Sequence, residues 1–145
     1  MRQLHNRAVQ KSMAEFLDTM EWDYFATFTS HHELTLPSAR RAMEGLGRKL
    51  NTLTGSTPVN ESDRTRMFWV AEPFDCKEGF HTHALVKCGL GVNFDNIKKT
   101  WEVVCGAKKL GTKARAQLRR YVPSNGANYY VGKYIQKRLC DYDFL

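Results

Sequence analysis

Two strand-like runs joined by a turn constrain this chain more tightly than anything else in its sequence. Met67-Phe68-Trp69-Val70-Ala71-Glu72 and Phe80-His81-Thr82-His83-Ala84-Leu85-Val86-Lys87 are apolar, contain β-branched and aromatic residues, and hold no proline. Pro73-Phe74-Asp75-Cys76-Lys77-Glu78-Gly79 between them has turn composition. Side chains alternate faces along a strand, so His81 and His83 point the same way. A hairpin that sets Glu72 opposite His81 brings the carboxylate onto the histidine face. Phe80, Thr82, Ala84 and Val86 are left for the opposite face, to pack under helices. A His-x-His pair on a strand is common without any ligand role, so the acid in register gives the pattern its weight. Nitrogen and oxygen donors of this kind suit a divalent metal ion such as Mn²⁺ or Mg²⁺.

The remaining elements follow from periodicity and punctuation. Val9, Met13, Phe16, Leu17 and Met20 predict a helix over 8–20, and the aromatic, β-branched run 24–30 predicts a strand. Ser30-His31-His32-Glu33 is rich in ligand types but reads as a loop, because neighbours on an extended chain point apart. Ser38 is the predicted cap of a second helix reaching about residue 53, with Ala39, Ala42, Met43, Leu46 and Leu50 inward. Residues 55–65 are polar and turn-rich. A third helix is predicted over 94–104 with Gly106 as its stop, and residues 108–113 form a basic loop. Residues 115–122 fit a fourth strand or a helical turn almost equally. Pro123-Ser124-Asn125-Gly126 is a break, and a last helix is predicted over 128–139. The order gives an α+β domain: a four-stranded antiparallel sheet with its helices mostly on one face.

Charge is divided unevenly along the chain. Residues 98–138 hold eleven Lys or Arg against one acid, Glu102, while the residues before 98 hold eleven basic and twelve acidic. The net charge of +7 is therefore concentrated in the C-terminal third. Such a block favours a polyanion such as nucleic acid, although a solvated basic face has the same composition. At 145 residues the chain fits one domain with a sizeable core. Cys76, Cys88, Cys105 and Cys140 show no C-x-x-C spacing, which argues against a cysteine zinc site or a disulfide framework. The first residues lack an apolar signal core and no run approaches membrane-spanning length, so the expectation is a soluble, intracellular protein with no membrane partner.

Tyr129-Tyr130-Val131-Gly132-Lys133-Tyr134-Ile135-Gln136-Lys137 is the second informative stretch. On a helix Tyr130 and Tyr134 share a face, and Lys133 and Lys137 repeat the same spacing. Tyrosine pairs of this kind usually pack with their hydroxyls at the surface. A phenol near a divalent cation gains a different role, since the cation polarises a phosphate and favours the phenolate.

The His81-Thr82-His83 strand followed by this tyrosine helix resembles the HUH-type endonucleases that initiate rolling-circle replication. The tyrosine pair, each followed three residues later by Lys, is similar to the initiators of small isometric phages. The spacing from Ala71-Glu72 to His81-Thr82-His83 is similar to the replication proteins of circular single-stranded DNA viruses. Phe25-Ala26-Thr27-Phe28-Thr29 resembles the family's less specific first motif. Thr82 departs from the bulky hydrophobic residue usual between the two histidines. No nucleotide-binding P-loop is present, so the helicase domain often fused to viral members is not expected in this chain.

The resemblance implies a single HUH endonuclease domain over residues 1–145, with a ferredoxin-like or RRM-like sheet. It implies Glu72, His81 and His83 as metal ligands, Tyr130 as the nucleophile, Tyr134 as a second nucleophile or a packing residue, and Lys133 as a charge partner. Phe25 or Phe28 would stack on bases. Lys108, Lys109, Lys113, Arg115, Arg119, Arg120 and Lys137 would contact the DNA backbone. The partners implied are a single-stranded DNA origin, as a stem-loop or a nonanucleotide-like site, and host replication machinery in the cytoplasm or nucleus. Two other readings remain: a non-catalytic single-stranded nucleic-acid-binding module of the same architecture, and a tyrosine transposase of the same superfamily.

Overall fold

The computed structural model describes residues 2–30, 32–53, 55, 57–105, 115–123, 126 and 142–145. The helix predicted over 128–139 lies outside these residues, as do the basic loop 108–113 and Cys140.

β2 (Arg66–Pro73) and β3 (Phe80–Lys87) form the expected hairpin, paired from Arg66 opposite Lys87 to Pro73 opposite Phe80. β1 (Tyr24–Thr29) lies on the other side of β3, and β4 (Arg115–Arg120) pairs outside β1. Residues 115–120 are therefore a strand, because pairing with β1 outweighs a local pattern that fits either state. The sheet has five strands rather than four. β5 (Tyr142–Phe144) adds to the free edge of β2, giving an antiparallel sheet in the order β4-β1-β3-β2-β5.

Three helices complete the described fold: α1 (Arg2–Asp18), α2 (Leu36–Leu50) and α3 (Phe94–Val104). The cap of α2 is Thr35, one turn before the predicted Ser38. The two residues form a reciprocal capping box, in which the Ser38 N–H donates to Thr35 Oγ1 (3.2 Å) and the Thr35 N–H to Ser38 Oγ (2.7 Å). Asn93 and Asn96 start α3 in the same way.

The helices cover both faces of the sheet. Ala39, Met43, Leu46 and Leu50 of α2 and Ile97 and Trp101 of α3 bury Phe28, Trp69, Ala84 and Val86 on one face. Fully burying side chains such as Phe28, Met43 or Ile97 stabilises by roughly 1.5–3 kcal/mol each, so this larger cluster dominates the core. α1 takes the opposite face, where Leu17 and Trp22 pack with Phe68, Val70 and Leu85. Among the described residues no helix is long and apolar enough to cross a membrane. Cys76, Cys88 and Cys105 are free thiols.

The hairpin is clamped at both ends by a glycine. Gly79 closes the turn with φ +97°, and a Cβ there would meet Glu33 Cγ at 2.8 Å. At the other end the Gly89 N–H donates to Thr65 Oγ1 (3.0 Å) and the Leu90 N–H to Asp63 O (2.8 Å). A Cβ on Gly89 would lie 2.3 Å from Asp63 O and 2.4 Å from Thr65 N, which are backbone atoms that cannot swing aside. Gly89→Ala should therefore destabilise the fold by about 1–3 kcal/mol in urea denaturation, by overpacking. An unchanged midpoint would show that this clamp does not hold the strands.

Candidate metal centre

The site is a product of strand register. Glu72 sits directly opposite His81 and Val70 opposite His83, so Glu72, His81 and His83 share one face. His81 Nε2 and His83 Nε2 converge on one oxygen, Glu72 Oε2, at 3.2 Å and 2.7 Å. One donor atom from each residue lies within 4.8 Å of the others, and this is the one such group of three or more His, Cys, Asp or Glu among the described residues. Ligand atoms in adjacent positions around an octahedral ion at about 2.1 Å are about 3 Å apart. The two measured separations bracket that value.

Burial prepares the donors. The three side chains are 8–15 % exposed. Desolvation pushes both imidazoles below their ordinary 6.5, against a smaller opposing pull from Glu72. For His83 the neighbouring His81 adds to the effect and its pKa falls to about 4. Both rings are thus neutral near pH 7, the form that binds a metal. Each ring is wedged by an aromatic neighbour. Phe25 stacks on His83 with centroids 5.8 Å apart and planes 7° from parallel, and Phe74 lies 4.5 Å from His81. His81 Nδ1 is buried with no hydrogen-bond partner among the described residues. Two neutral imidazoles and a carboxylate, aimed at one point, fit a divalent ion.

Thr27 is the site residue that the sequence does not reveal. β1 places it opposite His83, and its Oγ1 lies 3.1 Å from His83 Nδ1. An Nδ1 proton donated to that hydroxyl would leave the Nε2 lone pair for an ion held between it and Glu72. The signal was present in the run Phe25-Ala26-Thr27-Phe28-Thr29, whose alternation puts Thr27 on one face with Phe25, but the pairing with β3 supplies the contact.

The other predicted residues divide by face. Thr29, Thr27 and Phe25 oppose Arg115, Gln117 and Arg119, so Arg115 and Arg119 share the histidine face and are exposed. Arg120 opposes Tyr24 and falls on the α3 side. Phe28 cannot stack on a base, because it is fully buried against Trp101 with centroids 4.9 Å apart. Tyr130, Tyr134, Lys133, Lys137, Lys108, Lys109 and Lys113 lie outside the described residues, as does His31. Comparison of the chain with family models, with curated proteins and with solved structures finds no match.

Two outcomes follow from this geometry. Thr27→Val keeps the shape but removes the hydroxyl, and should weaken Mn²⁺ binding about 10–100-fold in titration calorimetry, while Thr27→Ser stays near wild type. Equal affinities in all three would dismiss the hydroxyl. In metal-free protein, His83 contributes stability that is complete above pH 6.5. Below that value the unfolded chain binds a proton that the folded chain refuses until about pH 4. His83 should make stability fall across this window by up to about 3 kcal/mol, and a His83→Asn variant should lose that share and keep the part that the lowered pKa of His81 supplies. An identical slope in the variant would assign the pH dependence elsewhere.

Proposed function

We propose that this chain is a metal-dependent, sequence-specific enzyme that nicks and rejoins single-stranded DNA through a tyrosine, an HUH-type endonuclease that initiates rolling-circle replication. The observation that carries the proposal is the convergence of Glu72, His81 and His83 on one point. Two others support it. The β1-α2-β2-β3-α3-β4 connectivity with strand order β4-β1-β3-β2 is that of a ferredoxin-like unit, the sheet on which such a site is expected. Arg115 and Arg119 stand on the histidine face, where a phosphate backbone approaching the site would meet positive charge.

A divalent ion held by the triad, Mn²⁺ before Mg²⁺ given two imidazole donors, would polarise the scissile phosphate and offset charge in the transition state. Tyr130 attacks the phosphorus as its phenol loses a proton. The bond to the 3′-oxygen breaks, and that oxygen takes up a proton to become a free 3′-hydroxyl. The 5′ end is left on the enzyme as a phosphotyrosine, so one phosphodiester is exchanged for another and no nucleotide is spent. Attack by a 3′-hydroxyl reverses the step and rejoins the strand. Lys133 would neutralise developing charge or orient the DNA, and Tyr134 would serve a second transfer or pack. The substrate is a single-stranded origin, in a stem-loop or a nonanucleotide-like site, and the 3′-hydroxyl is the primer handed to host replication machinery.

The test is an adduct assay. Protein incubated with Mn²⁺ and single-stranded origin oligonucleotides should give a protein–DNA species that survives SDS and heat. Tyr130→Phe should remove it, and an adduct at full yield would move the role to Tyr134. His81→Ala should abolish cleavage while most DNA binding remains. Binding without any adduct from the wild type would make the chain a single-strand binding module instead.

A further inference from the structure

A depression of about 200 Å³ lies between β1 and β4, lined by Phe25, Thr27, His83, Gln117 and Arg119. Its walls are two cross-strand pairs, Phe25 opposite Arg119 and Thr27 opposite Gln117. Directly opposed side chains on an antiparallel ladder stand about 5 Å apart at their Cβ atoms, so each pair frames one side of the opening. His83 closes the inner end. One edge of its ring faces Thr27, and the other faces Glu72 at 2.7 Å. The depression and the metal centre are therefore separated by a single imidazole.

The geometry points to this depression as the seat of one unstacked DNA base next to the scissile phosphate, with Gln117 and Arg119 as specificity-determining residues that read its edge. The inference rests on the nicking activity proposed above and adds to it the place where sequence is read. The chemistry of the lining favours a base over a bare phosphate. Phe25 offers an apolar ring, Arg119 a planar fork of donors, and Gln117 an amide with both a donor and an acceptor. A phosphate accepts only, so it would satisfy Arg119 and leave the Gln117 carbonyl without a donor. A base edge presents donors and acceptors side by side, which Arg and Gln engage in bidentate pairs. Among the described residues neither the Gln117 nor the Arg119 side chain has a hydrogen bond or ion pair, their backbones alone pairing with β1. Both are exposed on a strand whose inward positions, Ala116 and Leu118, do the packing. Replacing them leaves the core untouched.

The experiment uses a single-stranded DNA library with randomised positions. Full-length wild-type protein, Gln117→Ala and Arg119→Ala are each incubated with Mn²⁺, and the DNA in heat-stable adducts is sequenced. The expected result is that each variant loses selectivity at one and the same position beside the cleaved phosphate. The loss should be about 5–150-fold, the discrimination of one good bidentate pair, with other positions kept. Adducts whose sequence preference is unchanged at every position in both variants would overturn the subsite while leaving the nicking activity standing. If the wild type forms no adduct, the nicking activity fails instead, and DNA retained by binding alone is sequenced from the same library. Preference lost at one position in both variants then still supports the base seat, and unchanged or absent preference removes it.

Discussion

The antiparallel pairing of β2 with β3 is the constraint from which the rest of the structure follows. In this register Glu72, His81 and His83 share a face, while Trp69, Ala71, Thr82 and Ala84 fill the other. A slip by one residue would send Glu72 under α2 and bring Trp69 out beside the histidines. The alternative is excluded by several independent features. The turn is fixed by Gly79 at φ +97° and by the Phe74 N–H donating to Gly79 O at 3.0 Å. The face covered by α2 and α3 holds a large fully buried ring at Trp69, which a slip would bring out beside the histidines. The open end is gripped by backbone contacts from Gly89 to residues 63–65.

Once that pairing is fixed, β1 can add to β3 in a way that matters chemically. Its register carries Thr27 to His83 and Phe25 to Leu85. The same strand then presents Phe25 and Thr27 to β4, so β1 is shared between the Glu72–His81–His83 cluster and the arginine-bearing edge. Phe28, one residue along, points into the α2–α3 core and anchors the strand from behind. Rigidity in this layer matters because ligand atoms must stay within a few tenths of an ångström of their places.

Features written in local alternation were legible from the sequence. The hairpin, its histidine pair, the acid opposite and the α3 span all obey a period of two or of 3.6 that survives folding. Features set by distant partners were not. Residues 115–120 carry too little pattern to separate strand from helix until β1 pairs with them. β5 is three residues long and exists because β2 has a free edge. Thr35 and Ser38 both look like caps, and only the geometry of the reciprocal bonds ranks them. Phe28 and Phe25 are equivalent as letters three apart in an aromatic strand. Which one faces the histidines depends on where α2 and α3 dock, and that is a tertiary fact.

The electrostatics of the histidine face separate into two regimes. With both imidazoles neutral, the triad can carry no more than the one negative charge of its single carboxylate, in a desolvated pocket. A divalent ion would reverse it to one positive charge, turning a site that repels phosphate into one that attracts it. The exposed Arg115 and Arg119 act differently, since their pull on a polyanion reaches outward through water and fades over about 8–10 Å at ordinary salt. Salt therefore weakens the attraction of the β4 edge much more than the grip of the buried triad. The two stand two or three strands apart on one sheet, so a polyanion drawn to the edge would lie within reach of an ion held by the triad. Under the proposed function, capture would be tuned by ionic strength and chemistry by the metal, with the register of four paired strands setting the distance between them.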